Sequence, residues 1–166
     1  MQEAPMGDTT ILIGKRILAV DDERDVLEVI REELELCQVT TAEDFDAAKR
    51  LLETESYDLV ILDIMGVRGF DLLDITRAKR LPAVMLTAHA MTPESLQKSI
   101  DHGAVSFLPK EELSRLRELI AEIIEHVNAG KTHWRRLVER LGPRFKEMWG
   151  QVWEDIKFPP ETRITW

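Results

Sequence analysis

The chain has 166 residues, 44% of them hydrophobic, with a formal net charge of −9 and one cysteine, Cys37. That is enough for one domain with a hydrophobic core plus an appendage, it excludes an intrachain disulfide, and it suits a reducing, cytoplasmic setting. No apolar run approaches the ~20 residues needed to cross a bilayer. The polar stretch from Met1 to Thr10 does not read as a signal peptide.

Charge is unevenly spread. Residues 1–130 carry 14 Lys/Arg against 26 Asp/Glu, whereas residues 131–157 carry 7 against 4. All four tryptophans (Trp134, Trp149, Trp153 and Trp166) also follow residue 130. Two composition breaks at Gly130 divide the chain into an N-terminal extension over 1–14, an acidic domain over 15–130 and a basic, Trp-rich tail over 131–166.

In chain order, Arg16-Ile-Leu-Ala-Val20 is a first strand. Its continuous apolar run implies burial on both faces, as in a parallel sheet covered by helices. Val26, Leu27, Val29, Ile30 and Leu34 follow at helical spacing. Gln38-Val-Thr-Thr41 is a weaker second strand, and Phe45, Ala48, Leu51 and Leu52 mark a second helix. Asp58-Leu-Val-Ile-Leu62 is the third strand, before a helix through Phe70, Leu72, Leu73 and Ile75. Ala83-Val-Met-Leu-Thr87 is the fourth. Thr92 then caps a helix that Pro93 opens, that carries Leu96, Ile100 and His102, and that Gly103 ends. Val105-Ser-Phe-Leu108 is a weaker fifth strand. A fifth helix runs from about Glu111 to Asn128, with Leu113, Leu116, Leu119, Ile120, Ile123 and Ile124 on one face.

Strand–helix alternation repeated in this way predicts an α/β fold: a doubly wound, five-stranded parallel sheet with helices on both faces. Sites in such sheets form beyond the carboxyl ends of the strands. Asp21-Asp22 closes the first strand here, with Glu23 next; Asp63 closes the third, Thr87-Ala88 the fourth and Pro109-Lys110 the fifth. Each has a bland reading when taken singly, as a turn, a cap or a loop residue. Together they bring carboxylates, a hydroxyl and an ammonium to one rim. Clustered carboxylates repel one another unless a divalent cation such as Mg²⁺, which takes oxygen ligands, neutralises them. A carboxylate so placed can attack a phosphoryl group and form an acyl phosphate.

With these residues in hand, the stretch from about residue 15 to residue 128 resembles the receiver domain of two-component response regulators. The matching segments are Ile17-Leu-Ala-Val-Asp-Asp-Glu23, Leu59-Val-Ile-Leu-Asp-Ile-Met65, Met85-Leu-Thr-Ala88 and Ser106-Phe-Leu-Pro-Lys110. The resemblance implies a flavodoxin-like strand order of 2-1-3-4-5 and an Asp63 that accepts a phosphoryl group from a histidine kinase or phosphotransfer protein. It implies Mg²⁺ held by Asp21 (mostly through water), Asp22, Asp63 and the carbonyl of Met65. Thr87, Ala88 and Lys110 would meet the phosphoryl group, with Thr87 as the switch hydroxyl and Phe107 as a switch aromatic that rotates inward. Met65 and His89 would flank the approach of hydrolytic water, and apolar Met65 implies slow self-dephosphorylation. The loop Ile64-Met-Gly-Val-Arg-Gly69 departs from the family by being short and without proline, and Gly66 can supply an unusual backbone conformation.

The tail repeats apolar residues at helical spacing from Trp134 to Ile156, with either a kink or two helices expected at Gly142-Pro143, and Glu161 to Trp166 reads as a loose terminus. It is too short for the DNA-binding output domains common in the family. It is expected to pack on its own domain or on a second copy as a homodimer, ahead of a separate protein partner, a membrane surface or nucleic acid, and to respond to phosphorylation. The function expected is that of a phosphorylation-controlled interaction switch, with no enzymatic activity beyond Mg²⁺-assisted self-phosphorylation and self-dephosphorylation. The alternatives are a pseudo-receiver that only binds partners, which would have lost an acidic, Thr or Lys position, and a phosphatase of the haloacid dehalogenase type. The latter needs Asp-x-Asp after the first strand, which Val20-Asp21-Asp22 does not supply.

Overall fold

The computed structural model describes residues 8–88 and 92–159. Strands β1 (Arg16–Val20), β2 (Gln38–Ala42), β3 (Leu59–Asp63), β4 (Ala83–Thr87) and β5 (Ser106–Pro109) form one sheet in the order β2-β1-β3-β4-β5. Every pairing is parallel. All five residues of β3, and all five of β4, are buried. This is why those runs are continuously apolar instead of alternating.

The crossovers are α1 (Arg24–Glu33), α2 (Phe45–Thr54), α3 (Gly69–Ala78), α4 (Pro93–Asp101) and α5 (Leu116–Asn128). Their apolar stripes make two cores. On one face α1 and α5 place Leu27, Ile30, Leu119 and Ile123 against Ile17, Ile61 and Leu86. On the other, α2, α3 and α4 place Leu52, Leu72 and Leu96 against Leu18, Leu62 and Met85. Asp44 caps α2 by accepting from the Ala47 N–H at 2.8 Å. Thr92 and Ser95 close a reciprocal capping box at the start of α4, with Pro93 in its first turn. Glu23 is the N-cap of α1 but makes no side-chain cap, which leaves its carboxylate for the rim.

Three features differ from expectation. The turn Lys110–Arg115 is a 3₁₀ helix and α5 starts only at Leu116, because that turn has no side-chain cap and buries none of its residues. Thr9–Leu12, inside the N-terminal extension, forms a 3₁₀ turn whose Leu12 is fully buried against the α1/α5 core. In the tail, α6 (Trp134–Trp149) runs unbroken through Gly142-Pro143 and gives way to α7 (Gln151–Glu154) at Gly150, where φ is 57° and ψ is −127°. Pro143 faces solvent while buried Leu141, Gly142 and Phe145 hold the helix to the core on either side of it. Residues 160–166, with Trp166, lie outside the described residues.

The tail packs on its own chain. Trp134, Leu137, Leu141 and Phe145 join the α2/α3/α4 core, and Trp149, Trp153 and Phe158 pack around them. Its start straddles the open edge of β5. The His133 N–H donates to the Val105 carbonyl at 2.8 Å, and Trp134 Nε1 donates to the Ala104 carbonyl at 3.0 Å. These bonds anchor the start of the tail at the residues that lead into β5. Buried His133 links Ser106 Oγ at 2.8 Å from Nδ1 to Glu122 Oε1 at 3.0 Å from Nε2, and Arg136 Nε donates to the same carboxylate oxygen at 2.9 Å. Burial alone would raise the Glu122 pKa, but His133 and Arg136 outweigh it and hold the carboxyl at about 2. Burial lowers the His133 pKa and favours the neutral ring, and with its one proton on Nε2 facing ionised Glu122, Nδ1 accepts from the Ser106 hydroxyl.

Trp134 is 3% exposed, whereas Met148 on the outer side of the same helix is 47% exposed. Trp134→Ala should therefore cost about 3–5 kcal/mol of unfolding free energy, and Met148→Ala at most about 0.5 kcal/mol. Urea denaturation checks both, and a near-neutral Trp134→Ala would contradict this packing.

Candidate functional site

Register builds the site. Val20 pairs with Leu62 and Thr87 with Pro109, so the residues one step beyond the strands gather at a single rim. There Asp22, Glu23, Asp63, Ile64, Met65, Gly66, Thr87, Ala88 and Lys110 line a cleft of about 180 Å³. Asp21, fully buried, lies beside it.

Lys110 organises the charge. Its Nζ lies 2.9 Å from Asp21 Oδ2, 3.3 Å from Asp63 Oδ1 and 3.5 Å from Glu23 Oε1. Asp21 Oδ1 accepts from the Glu23 N–H at 2.9 Å. Asp21 Oδ2 is buried, with the Lys110 ammonium as its ion-pair partner. Carboxylate oxygens of Asp21, Asp22 and Glu23 come within 4.8 Å of one another.

The electrostatics follow from this crowding. Burial, then the neighbouring charge of Asp21, pushes the Asp63 carboxyl up to about 6 against the pull of Lys110. Burial also raises Asp21 in spite of the Glu23 N–H and Lys110. For Lys110, burial acts downward, but Asp21 and Asp63 outweigh it and the net shift is upward. One ammonium does not neutralise this set. An all-oxygen donor set of clustered carboxylates, with buried Asp21 and Asp63 sharing a single ammonium, fits a small hard cation of the Mg²⁺ kind.

Of the residues expected at the site, Asp21, Asp22, Asp63, Met65, Thr87, Ala88 and Lys110 come together. Among the described residues, the Thr87 hydroxyl reaches the Ala88 carbonyl at 3.5 Å, the limit of hydrogen bonding. Met65 is 76% exposed at the cleft mouth. Phe107 does not line the cleft. It is fully buried and shares a core with Trp134 and Leu137, so in this structure it has no outward position from which to rotate inward. His89 lies outside the described residues. Sequence reasoning missed two members. Glu23 reaches Lys110 because the first helix leaves its side chain uncapped, and Gly66 forms the wall beside Asp22.

Residues 17–123 match the response regulator receiver domain, and the chain belongs to that family. The two-component response regulator ARR10 of Arabidopsis thaliana is 37% identical over 122 residues, covering 69% of this chain and 21% of its own length. ORR24 of Oryza sativa subsp. japonica is 36% identical over 124 residues, covering 70% and 20%. The chain thus spans about a fifth of these curated relatives. Among solved structures, a CheY-like receiver domain protein from Methanospirillum hungatei JF-1 superposes with a TM-score of 0.61 at 27% identity, covering 68% of this chain and 94% of that one. A response regulator from Thermotoga maritima does so at 0.62 and 24%, covering 68% and 99%, and shares the fold. Receiver domains of this family act in phosphorelay signalling with histidine kinases or phosphotransfer proteins, and generally bind Mg²⁺ at an acidic site. No helix among the described residues is long and apolar enough to cross a membrane.

The raised Asp63 pKa has a consequence for stability. A carboxyl raised on folding favours its protonated form in the native state, so its contribution is fully present below about 3.8 and is lost as pH rises through about 6. Asp63→Asn, without metal, should stabilise the protein at pH 7 by up to about 3 kcal/mol. The gain should shrink toward zero as pH falls through 6 to 4. Thermal denaturation in chelator across that range checks it, and a variant less stable than wild type at pH 7 would contradict it.

Proposed function

We propose that Asp63 is the phosphoryl acceptor of this receiver domain and that the phosphorylated chain acts as a protein-interaction switch. The observation that carries this reading is the Lys110 ammonium, 3.3 Å from Asp63 Oδ1, in the cleft shared by Asp22 and Thr87.

An Asp63 carboxylate oxygen attacks the phosphorus of a phosphohistidine on a histidine kinase or phosphotransfer protein. The P–N bond breaks, its electron pair returns to the imidazole nitrogen, and an acyl phosphate forms on Asp63. Lys110 neutralises one phosphoryl oxygen, and Thr87, the switch hydroxyl, donates to another, with Ala88 on the same wall. Mg²⁺, when held by Asp21, Asp22, Asp63 and the Met65 carbonyl, supplies charge neutralisation for the transfer. Lys110 pairs with both Asp21 and Asp63 and offsets part of the repulsion between these buried carboxylates.

The added group carries about −1.5 to −2 charges at pH 7. Lys110 directly follows β5, whose edge the tail straddles, so a shift of this lysine is transmitted to α6 and its aromatic contacts. We read the output as a change in that helical surface, toward a protein partner or a second copy, and not as DNA reading. The setting is cytoplasmic, and the chemistry stops at self-phosphorylation and self-dephosphorylation.

Incubation with acetyl phosphate and Mg²⁺ should add one phosphoryl mass to the chain, and Asp63→Asn or chelation of the metal should abolish it. Full labelling of Asp63→Asn by intact-mass spectrometry would refute the assignment. Met65, apolar and exposed at the mouth, cannot orient a hydrolytic water, so Met65→Asn should speed loss of the label. An unchanged rate would remove Met65 from that role.

A further inference from the structure

The turn from β3 to α3 is only residues 64–68, and it closes tightly on the site. Ile64 and Val67 are buried, and the Gly69 N–H donates to the Ile64 carbonyl at 3.2 Å. The turn leaves no room at two glycines. A Cβ on Gly69 would lie 2.1 Å from the Asp63 carbonyl oxygen. A Cβ on Gly66, where φ is +82°, would lie 2.4 Å from Asp22 Oδ2, 2.7 Å from its Cγ and 3.0 Å from Oδ1. The whole Asp22 carboxylate therefore rests on the Gly66 backbone.

The Asp22 side chain is exposed, and among the described residues the Gly66 backbone lies directly against its carboxylate. The turn itself is pinned from outside the cleft. Arg68 caps α3 in the left-handed region, φ 55° and ψ 53°, which ordinary side chains avoid. Its guanidinium lies 4.0 Å above the Phe45 ring at the start of α2, and its Nε donates to Asp71 Oδ2 at 2.8 Å.

We propose that Gly66 is a positioning residue for Asp22: the missing side chain sets where the carboxylate sits, and Arg68 stacked on Phe45 holds the turn in that place. This rests on the reading of Asp22 as a cation ligand. The short turn carries Gly66 against the Asp22 carboxylate, which is where the dependence arises.

The test is calorimetric titration of the full chain with Mg²⁺ alone. Gly66→Ala should weaken binding about 10–100-fold, the range for groups that orient a metal ligand. In an Asp22→Ala background the same substitution should change affinity less than about twofold, because the carboxylate it displaces is gone. Gly14→Ala controls for backbone strain: φ there is +74° but nothing lies within 4 Å of the added Cβ, so Mg²⁺ affinity should not change. Wild-type affinity in a folded Gly66→Ala, or an equal loss in the Asp22→Ala background, would overturn the proposal. If Gly66→Ala fails to fold, Arg68→Ala decides: it must weaken Mg²⁺ binding, and do so only while Asp22 is present. A wild-type chain that binds no Mg²⁺ overturns the cation reading together with the proposal. Weakening by Asp22→Ala but not by Gly66→Ala overturns the proposal alone.

Discussion

Asp21 and Asp63 are buried side by side at the end of a parallel sheet, with Asp22 and Glu23 close by and one ammonium, Lys110, between them. Everything else about the site follows from that excess of negative charge. Together with burial, which acts first, it raises Asp63 to about 6, and it makes the cleft a place for a cation and for the oxygens of a phosphoryl group. The arrangement costs stability, and it persists because the sheet beneath it is rigid. β3 and β4 are buried along their whole length, and their neighbours fix their register. A rim that could relax would let the carboxylates move apart into water.

The same sheet connects the rim to the tail. β5 ends in Pro109, next to Lys110, and begins at Ser106, which bonds to His133 at the start of α6. His133 and Trp134 grip opposite sides of this edge strand, one through the polar link to Glu122 and the other through the aromatic cluster. Leaving Glu122 or Ser106 without that partner inside the core would carry a desolvation penalty, so α6 is held by specific bonds as well as by apolar area. The tail is in this sense part of the receiver's own packing, although the family match stops at residue 123.

Much of this was legible in the sequence because strand ends are local signals. Asp21, Asp63, Thr87 and Lys110 each follow an apolar run, and parallel topology alone brings such ends together. The helical stripe of the tail was legible for the same reason. What escaped were contacts between residues distant in sequence whose types are individually ordinary. The His133 bonds to Ser106 and Glu122, the Arg68 stack on Phe45 and the contact of Gly66 with Asp22 have no periodicity to betray them. Pro143 does not end α6, because a proline ends a helix only where packing does not override it, and Leu141 and Phe145 are buried on either side of it. Phe107 lies inside, in the core it shares with α6, and its burial there reflects neighbours that no local pattern names.

The central claim, that the charge excess at this rim is relieved by a bound cation, is tested most directly by the thermal stability of the wild-type chain in Mg²⁺ as a function of pH. Ligand binding to the folded state raises the midpoint. The account predicts a clear rise with millimolar Mg²⁺ at pH 7.5 that fades as pH falls through about 6, where Asp63 takes up a proton. A midpoint insensitive to Mg²⁺ at pH 7.5, or a rise that is unchanged at pH 5, would contradict it.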